Sequence, residues 1–238
     1  MPKAFSHWTV LPHEPIVKLS ENLWWVRGDI PGMSLKRVMT VARRVDGRLV
    51  LFSPIALDTN ELAELEAFGE PGFLVVPNGW HRLDAPAYKQ RYPKLEVFAP
   101  RGSRRKVEEV IGVDGTFEDF PNDARVRLEP LNGIGELEGV MLVHDPDGTT
   151  VVLGDTVMNM DRKRDLLGYL FTTVLGSAPG PRISRLTKLI LVKDKPALKA
   201  ELLRLAQIPD LTRVIVAHEK VAEGPAAPIT LIKAAEHL

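Results

Sequence analysis

The chain has 238 residues, 45% hydrophobic and 26% charged, with 31 basic and 31 acidic side chains that cancel to zero formal net charge. That balance argues against nucleic acid or an anionic membrane as the main partner, and no apolar run approaches the ~18 residues of a membrane span. With no cysteine in the chain, disulfides, thiolate zinc sites and cysteine nucleophiles are excluded.

Residues 1–15, with His7, Pro12, His13 and Pro15, read as an irregular lead-in. Met1 to His7 lacks the apolar core of a signal peptide, and a cytoplasmic protein is expected. Leu23 to Arg27 and Leu35 to Val45 read as strands, and Asp46-Gly47 is a hairpin signal leading into Arg48 to Ser53. Asp58, with Glu61 three residues on, forms a capping box for a helix whose apolar side is Leu62, Leu65 and Phe68. A strand over Phe73–Val76 follows, with a polar tail ending at His81. Then come a short helix from Pro86 to Tyr92, a strand over Leu95–Ala99 and a helix from Arg101 to Val110.

Arg125 to Leu128, Gly139 to His144 and Thr150 to Leu153 read as strands, the last two joined by a turn at Pro146-Asp147-Gly148. Leu166 to Leu175 is apolar and suits a helix on the rim of a site; a membrane-inserting loop or, through 157–185, a homodimer contact are the alternatives, and about ten residues cannot span a bilayer. Lys188 to Val192 reads as a strand. Asp194 caps a helix starting near Pro196, with Leu198, Leu202 and Leu205 on one side. A strand over Arg213–Ala217 and a helix from about Pro228 close the chain. This alternation fits one α/β domain over 1–238, an αββα sandwich in which helices cover the outer faces of two stacked mixed sheets. There is no Rossmann glycine turn and no P-loop.

Three of the apolar strands end on a side chain that can bind a metal or move a proton: His81, Asp155 and His218. Asp155 follows Gly154, read here as the residue that lets the backbone turn sharply, and strand carboxyl ends are where layered α/β proteins assemble sites. Ser53 and Ser177 lie outside any Gly-x-Ser-x-Gly elbow, so nothing points to a serine triad. Arg101 to Lys106 could hold a phosphate at a helix start, although Glu108 and Glu109 favour a solvated face. Trp24, Trp25 and Trp80 suit either a pocket lining or the core, and His144 a structural place.

The order of Glu21 to Gly28, Leu49 to Phe52, the strand leading to His81, Gly154-Asp155 and Val216-Ala217-His218 resembles the metallo-β-lactamase superfamily. Phe52 to Leu57, Val76 to His81 and Arg91-Tyr92-Pro93 resemble an uncharacterised branch of it. The resemblance implies an αββα sandwich with a metal site at one edge, Asp155 in the place of the bridging aspartate and His218 in that of the final histidine. The superfamily's His-x-His-x-Asp-His segment is reduced here to one histidine. If His81 is its second histidine, Gly79 and Leu83 replace two ligands and Asp84 the last; if His81 is the last, the others are lost. A further ligand histidine of the superfamily falls on Glu136.

The expected ligand set is therefore His81, Asp155 and His218, with Asp84 or Glu136 able to add a fourth, and His81 and Asp155 as the catalytic pair. Three protein ligands leave room for water on one zinc, iron or manganese ion, which suits hydrolysis of an ester, thioester, amide or phosphoester in a small molecule. The competing reading is a metal-free, non-catalytic member that keeps Asp155 and His218 as a hydrogen-bonded pair and binds a small ligand or a partner. An iron oxidoreductase is a third reading, lacking the second-metal ligands it would need.

Overall fold

The computed structural model describes residues 3–238, so Met1 and Pro2 of the lead-in lie outside the described residues. The first sheet runs in chain order through β1 (Val17–Lys18), β2 (Leu23–Ile30), β3 (Met33–Arg43), β4 (Arg48–Phe52), β5 (Glu70–Val75) and β6 (Glu96–Phe98). Its first four strands are antiparallel, and β4, β5 and β6 are parallel. The second sheet holds β7 (Val126–Pro130), β8 (Gly139–Asp145), β9 (Gly148–Leu153), β10 (Leu211–Val216) and β11 (Val221–Glu223), in the order β11-β10-β9-β8-β7. Only β9 and β10 are parallel there.

The central strands β4, β5, β8 and β9 are buried at nearly every position because both faces are covered. The pleat divides their side chains two ways. Val50 and Phe52 of β4, Phe73 and Val75 of β5, Val152 of β9 and Ile215 of β10 fill the layer between the sheets. Their neighbours Leu49, Leu51 and Leu74 pack outward under α1 (Thr59–Phe68) and α2 (Ala85–Arg91), with Leu65 and Tyr88 above them. A four-residue α3 (Arg104–Val107) adds Val107 to that layer. On the second sheet's outer face, Val151, Leu153, Val214 and Val216 meet the later helices.

Those later helices are α4 (Leu166–Tyr169), α5 (Arg185–Ile190), α6 (Lys195–Ala206) and α7 (Ala226–Glu236). Asp194 caps α6 by accepting from Ala197 N at 2.9 Å, and Leu198, Leu202 and Leu205 are its buried side. In α7 the buried Ala227, Thr230, Leu231 and Ala234 recur at helical spacing. After α4 the backbone widens into a π-helical turn over Leu170–Val174.

Four local expectations change. Lys188 to Val192 is no strand: Ser184 accepts from Thr187 N at 2.9 Å and caps α5, which buries Leu191 and leaves Leu189 in solvent. The capping box at Asp58 is half made. Asp58 accepts from Asn60 N and Glu61 N, but Glu61 turns to the lead-in, accepting from Ile16 N at 2.8 Å and lying 3.0 Å from His13 Nδ1. The helix expected over 101–110 shrinks to a 3-10 turn and α3, and Arg101, Arg104 and Lys106 pair with Glu118, Glu108 and Glu109. Gly154 has no positive φ; its role lies in the site below.

Candidate metal centre

The parallel pairs β4–β5 and β9–β10 bring their carboxyl ends to one edge of the sandwich, where the chain leaves each strand on a polar side chain. Ser53 follows β4, Asn78 and His81 follow β5, Asp155 follows β9 and His218 follows β10. Cross-links hold the edge together. Ser53 N donates to Val75 O at 2.9 Å, and Val38 N of β3 donates to Ala217 O at 2.9 Å, joining the two sheets beside His218.

His81, Asp155 and His218 meet there, with one ligand-type atom of each within 4.8 Å of the others. Both Nε2 atoms lie 3.0 Å from the same oxygen, Asp155 Oδ1. Asp155 Oδ2 accepts from Asn78 Nδ2 at 3.0 Å. The outer ring nitrogens are held as well: His218 Nδ1 lies 2.7 Å from Lys36 O, and His81 Nδ1 lies 2.8 Å from Ser53 Oγ. A carbonyl oxygen only accepts, so His218 Nδ1 carries a proton. A neutral His218 would then turn a lone pair toward Asp155 Oδ1, and only a second proton or a cation relieves that repulsion. Paired outer nitrogens of this kind orient metal-binding imidazoles, so the donor set fits one divalent cation.

Charge follows the same geometry. Burial pushes the Asp155 carboxyl up, but the His81 charge and the His218 and His81 hydrogen bonds outweigh it and hold it well below the ordinary carboxylate range. Burial pulls His218 down, and the Asp155 bond and charge reverse that and raise it. Both shifts have one cause, the approach of the two imidazoles to the Asp155 carboxylate.

Asp84 and Glu136 do not join the group. Asp84 is fully buried against Arg37, itself 6% exposed. Burial pushes its carboxyl up, more than the Arg37 charge draws it down. A carboxylate so engaged is a core ion pair. Glu136 is exposed at a φ of +59° and lies 4.0 Å from Arg101. Two residues on, Glu138 is the carboxylate that enters the site. It accepts from Asp155 N at 2.7 Å, Asn78 Nδ2 at 3.0 Å and Thr156 N at 3.1 Å. Burial and the Asp155 charge push its carboxyl up.

Glu138 also explains Gly154. A Cβ on that residue would sit 2.7 Å from the Glu138 carboxylate, so the glycine is there for room. Asn78 accepts from Trp80 N at 2.9 Å and His81 N at 3.3 Å, folding the 78–81 turn that presents His81. Trp24 belongs to the core, stacked 3.7 Å from Phe68.

The sequence reading gave no role to Ser53, Asn78 or Glu138. Ser53, at a φ of +56°, is joined to His81 and through it to Asp155 in a Ser–His–Asp series, despite the missing elbow. The residue is 4% exposed, and its hydroxyl holds the outer nitrogen of His81. The available signal for Asn78 was its place in Pro77-Asn78-Gly79, a turn sequence directly after a strand.

No protein-family model matches the chain, and no curated protein matches it in sequence. Solved structures do. A metallo-beta-lactamase from Pontibacter korlensis is similar at a TM-score of 0.61 and 11% identity, over 95% of this chain and 100% of that one. A metallo beta lactamase from Erythrobacter litoralis, solved with beta mercaptoethanol in its active site, is similar at 0.61 and 13% identity, over 94% and 96%. At such identities what is shared is the arrangement of sheets and helices. Two remote sequences superposing over nearly the whole chain bear out the αββα sandwich, and the chain has the metallo-β-lactamase fold.

Proposed function

We propose that this protein is a metal-dependent hydrolase with a single-ion centre held by His81, Asp155 and His218. The observation that carries the reading is the convergence of those three donors with both outer imidazole nitrogens already engaged. Two imidazoles and one carboxylate form a three-ligand set that suits zinc, iron or manganese and leaves coordination positions for water and substrate. A divalent cation bound there would supply Lewis acidity and a water acidified toward neutral pH. The chain's residues set the geometry. Ser53 and Lys36 O fix the two ring planes, Asn78 fixes the carboxylate, and Glu138 holds the backbone that carries it. The substrate class that fits is a small molecule with an ester, thioester, amide or phosphoester bond.

A metal-free binding protein is the second reading, favoured by the fact that a doubly protonated His218 satisfies Asp155 without any ion. Elemental analysis of the purified protein separates the two. The hydrolase reading expects about one equivalent of zinc, iron or manganese per chain, lost in His81→Ala and in His218→Ala. A wild-type protein that stays metal-free after dialysis against each ion would sink it.

A further inference from the structure

The zero net charge of the chain conceals an uneven distribution. Between residues 161 and 195 the sequence holds eight basic side chains against Asp161, Asp165 and Asp194. Those carboxylates are committed: Asp161 to Lys220 at 2.6 Å, Asp165 to Ser34 and the start of α4, and Asp194 to the start of α6. Among the described residues Arg162, Arg164, Arg185, Lys188, Lys193 and Lys195 make no ion pair. Around α5 the cations are close enough to act on one another: burial first, and then the charges of Lys195, Arg182 and Arg185, lower Lys188.

The same segment carries the chain's most exposed aliphatic side chains. Leu166 is 84% exposed and Leu189 81%, with Leu167, Tyr169, Leu170 and Val174 also in solvent. Arg185 N donates to Leu175 O at 2.8 Å, so α5 starts where the π-helical turn ends, and Leu189 follows one helical turn on. Underneath, Phe171 packs on Leu35, Met158, Met160 and Ala178. The segment is thus seated on the core by Phe171 while exposed aliphatic side chains and unpaired cations alternate along its solvent side.

We propose that this segment docks on an anionic lipid surface. Aliphatic side chains flanked by unpaired arginines and lysines are the composition that inserts shallowly into the headgroup layer. A nucleic acid would use the cations and gain little from exposed leucines, and a second copy would set like charges against each other. No helix among the described residues is long and apolar enough to cross a membrane, so the association is peripheral. It also places the site near the lipid. Lys163 pairs with Glu219, the residue after His218, and Lys220 N donates to Asn159 O at 3.2 Å.

The test is sedimentation with vesicles of phosphatidylcholine alone and of equal parts phosphatidylcholine and phosphatidylserine, using the full chain as purified. The assay does not depend on the metal centre, so its failure leaves the hydrolase reading standing. Binding to the mixed vesicles that weakens with added salt is expected, together with a blue shift in the emission of a Tyr169→Trp variant. The Leu166→Glu/Leu189→Glu variant, altered only at solvent-facing positions, is expected to retain its circular dichroism and lose about tenfold or more of the binding. Equal binding to both vesicle types, no binding to either, or binding unchanged in that variant would overturn the proposal. So would light scattering that shows a dimer dissolved by Leu166→Glu, because a second copy would then cover the face.

Discussion

His218 Nδ1 lies 2.7 Å from the backbone carbonyl of Lys36, so an imidazole from one sheet is locked by a strand of the other. The bond fixes a ring plane and joins the two sheets at the edge where the site forms. Substitutions can separate these roles. Asn at 218 keeps an amide donor near the Nδ1 position and loses Nε2. We expect His218→Asn and His218→Ala both to lose the bound metal, with His218→Asn the more stable by about 1 kcal/mol. Thermal unfolding of the two metal-free variants checks this, and equal stability would show that the Lys36 bond contributes nothing.

Ser53 orients His81 from a left-handed backbone position. Removing an outer partner of a metal-binding imidazole weakens metal affinity by about ten- to a hundredfold. Ser53→Ala is expected to show that loss in a competition titration with a chelating dye, with stability changed by less than about 1 kcal/mol. Labelling of wild-type Ser53 by a fluorophosphonate would contradict the orienting role and make it a nucleophile.

Glu138 receives two backbone N–H groups and the Asn78 amide while itself fully buried. Glu138→Ala leaves the N–H groups of residues 155 and 156 unpaired and takes one of two acceptors from the Asn78 amide, and we expect a loss of roughly 2 kcal/mol or more, since one such orphan costs about 1–3 kcal/mol. Gly154→Ala attacks the same place from the other side by overpacking, at about 1–3 kcal/mol. The pair should be non-additive, because removing the Glu138 side chain vacates the space the new methyl needs. A double-mutant cycle in urea measures it, and strict additivity would refute the shared contact.

Asp123 gives a pH signature far from the site. Burial pushes its carboxyl up, but the N–H groups of Val126, Val45 and Arg125 and the Arg44 side chain outweigh that and hold it below the ordinary 3.8. Because the folded value is the lower one, the unfolded chain binds the extra proton as pH falls. The stabilisation is thus fully present above 3.8 and is lost as pH drops through the folded value. Asp123→Asn is expected to lower the melting temperature clearly near pH 6 and by much less at about pH 3. A melting difference that stayed constant over that range would disprove the linkage.

Much of this protein is determined by local sequence. Apolar runs marked the strands that end before Ser53, Asn78, Asp155 and His218, and Asp58 and Asp194 marked where α1 and α6 begin. His81, Asp155 and His218 could be picked out as strand-end donors before any coordinates, because a polar side chain after a buried strand is a local signal. What the sequence could not decide was which polar groups meet. Glu136 and Glu138 are two residues apart in a glycine-flanked loop, and only the second finds buried donors, supplied by Asn78 of one sheet and by residues 155 and 156 after β9 of the other. Asp84 stands three residues from His81, yet Arg37 of β3 claims it for the core. Gly154 reads as a turn residue until Glu138 is seen filling the space beside it. Caps and apolar runs act over a few neighbours along the chain, whereas a buried carboxylate goes wherever the packed sheets leave donors for it, and that is fixed only once both sheets are in place.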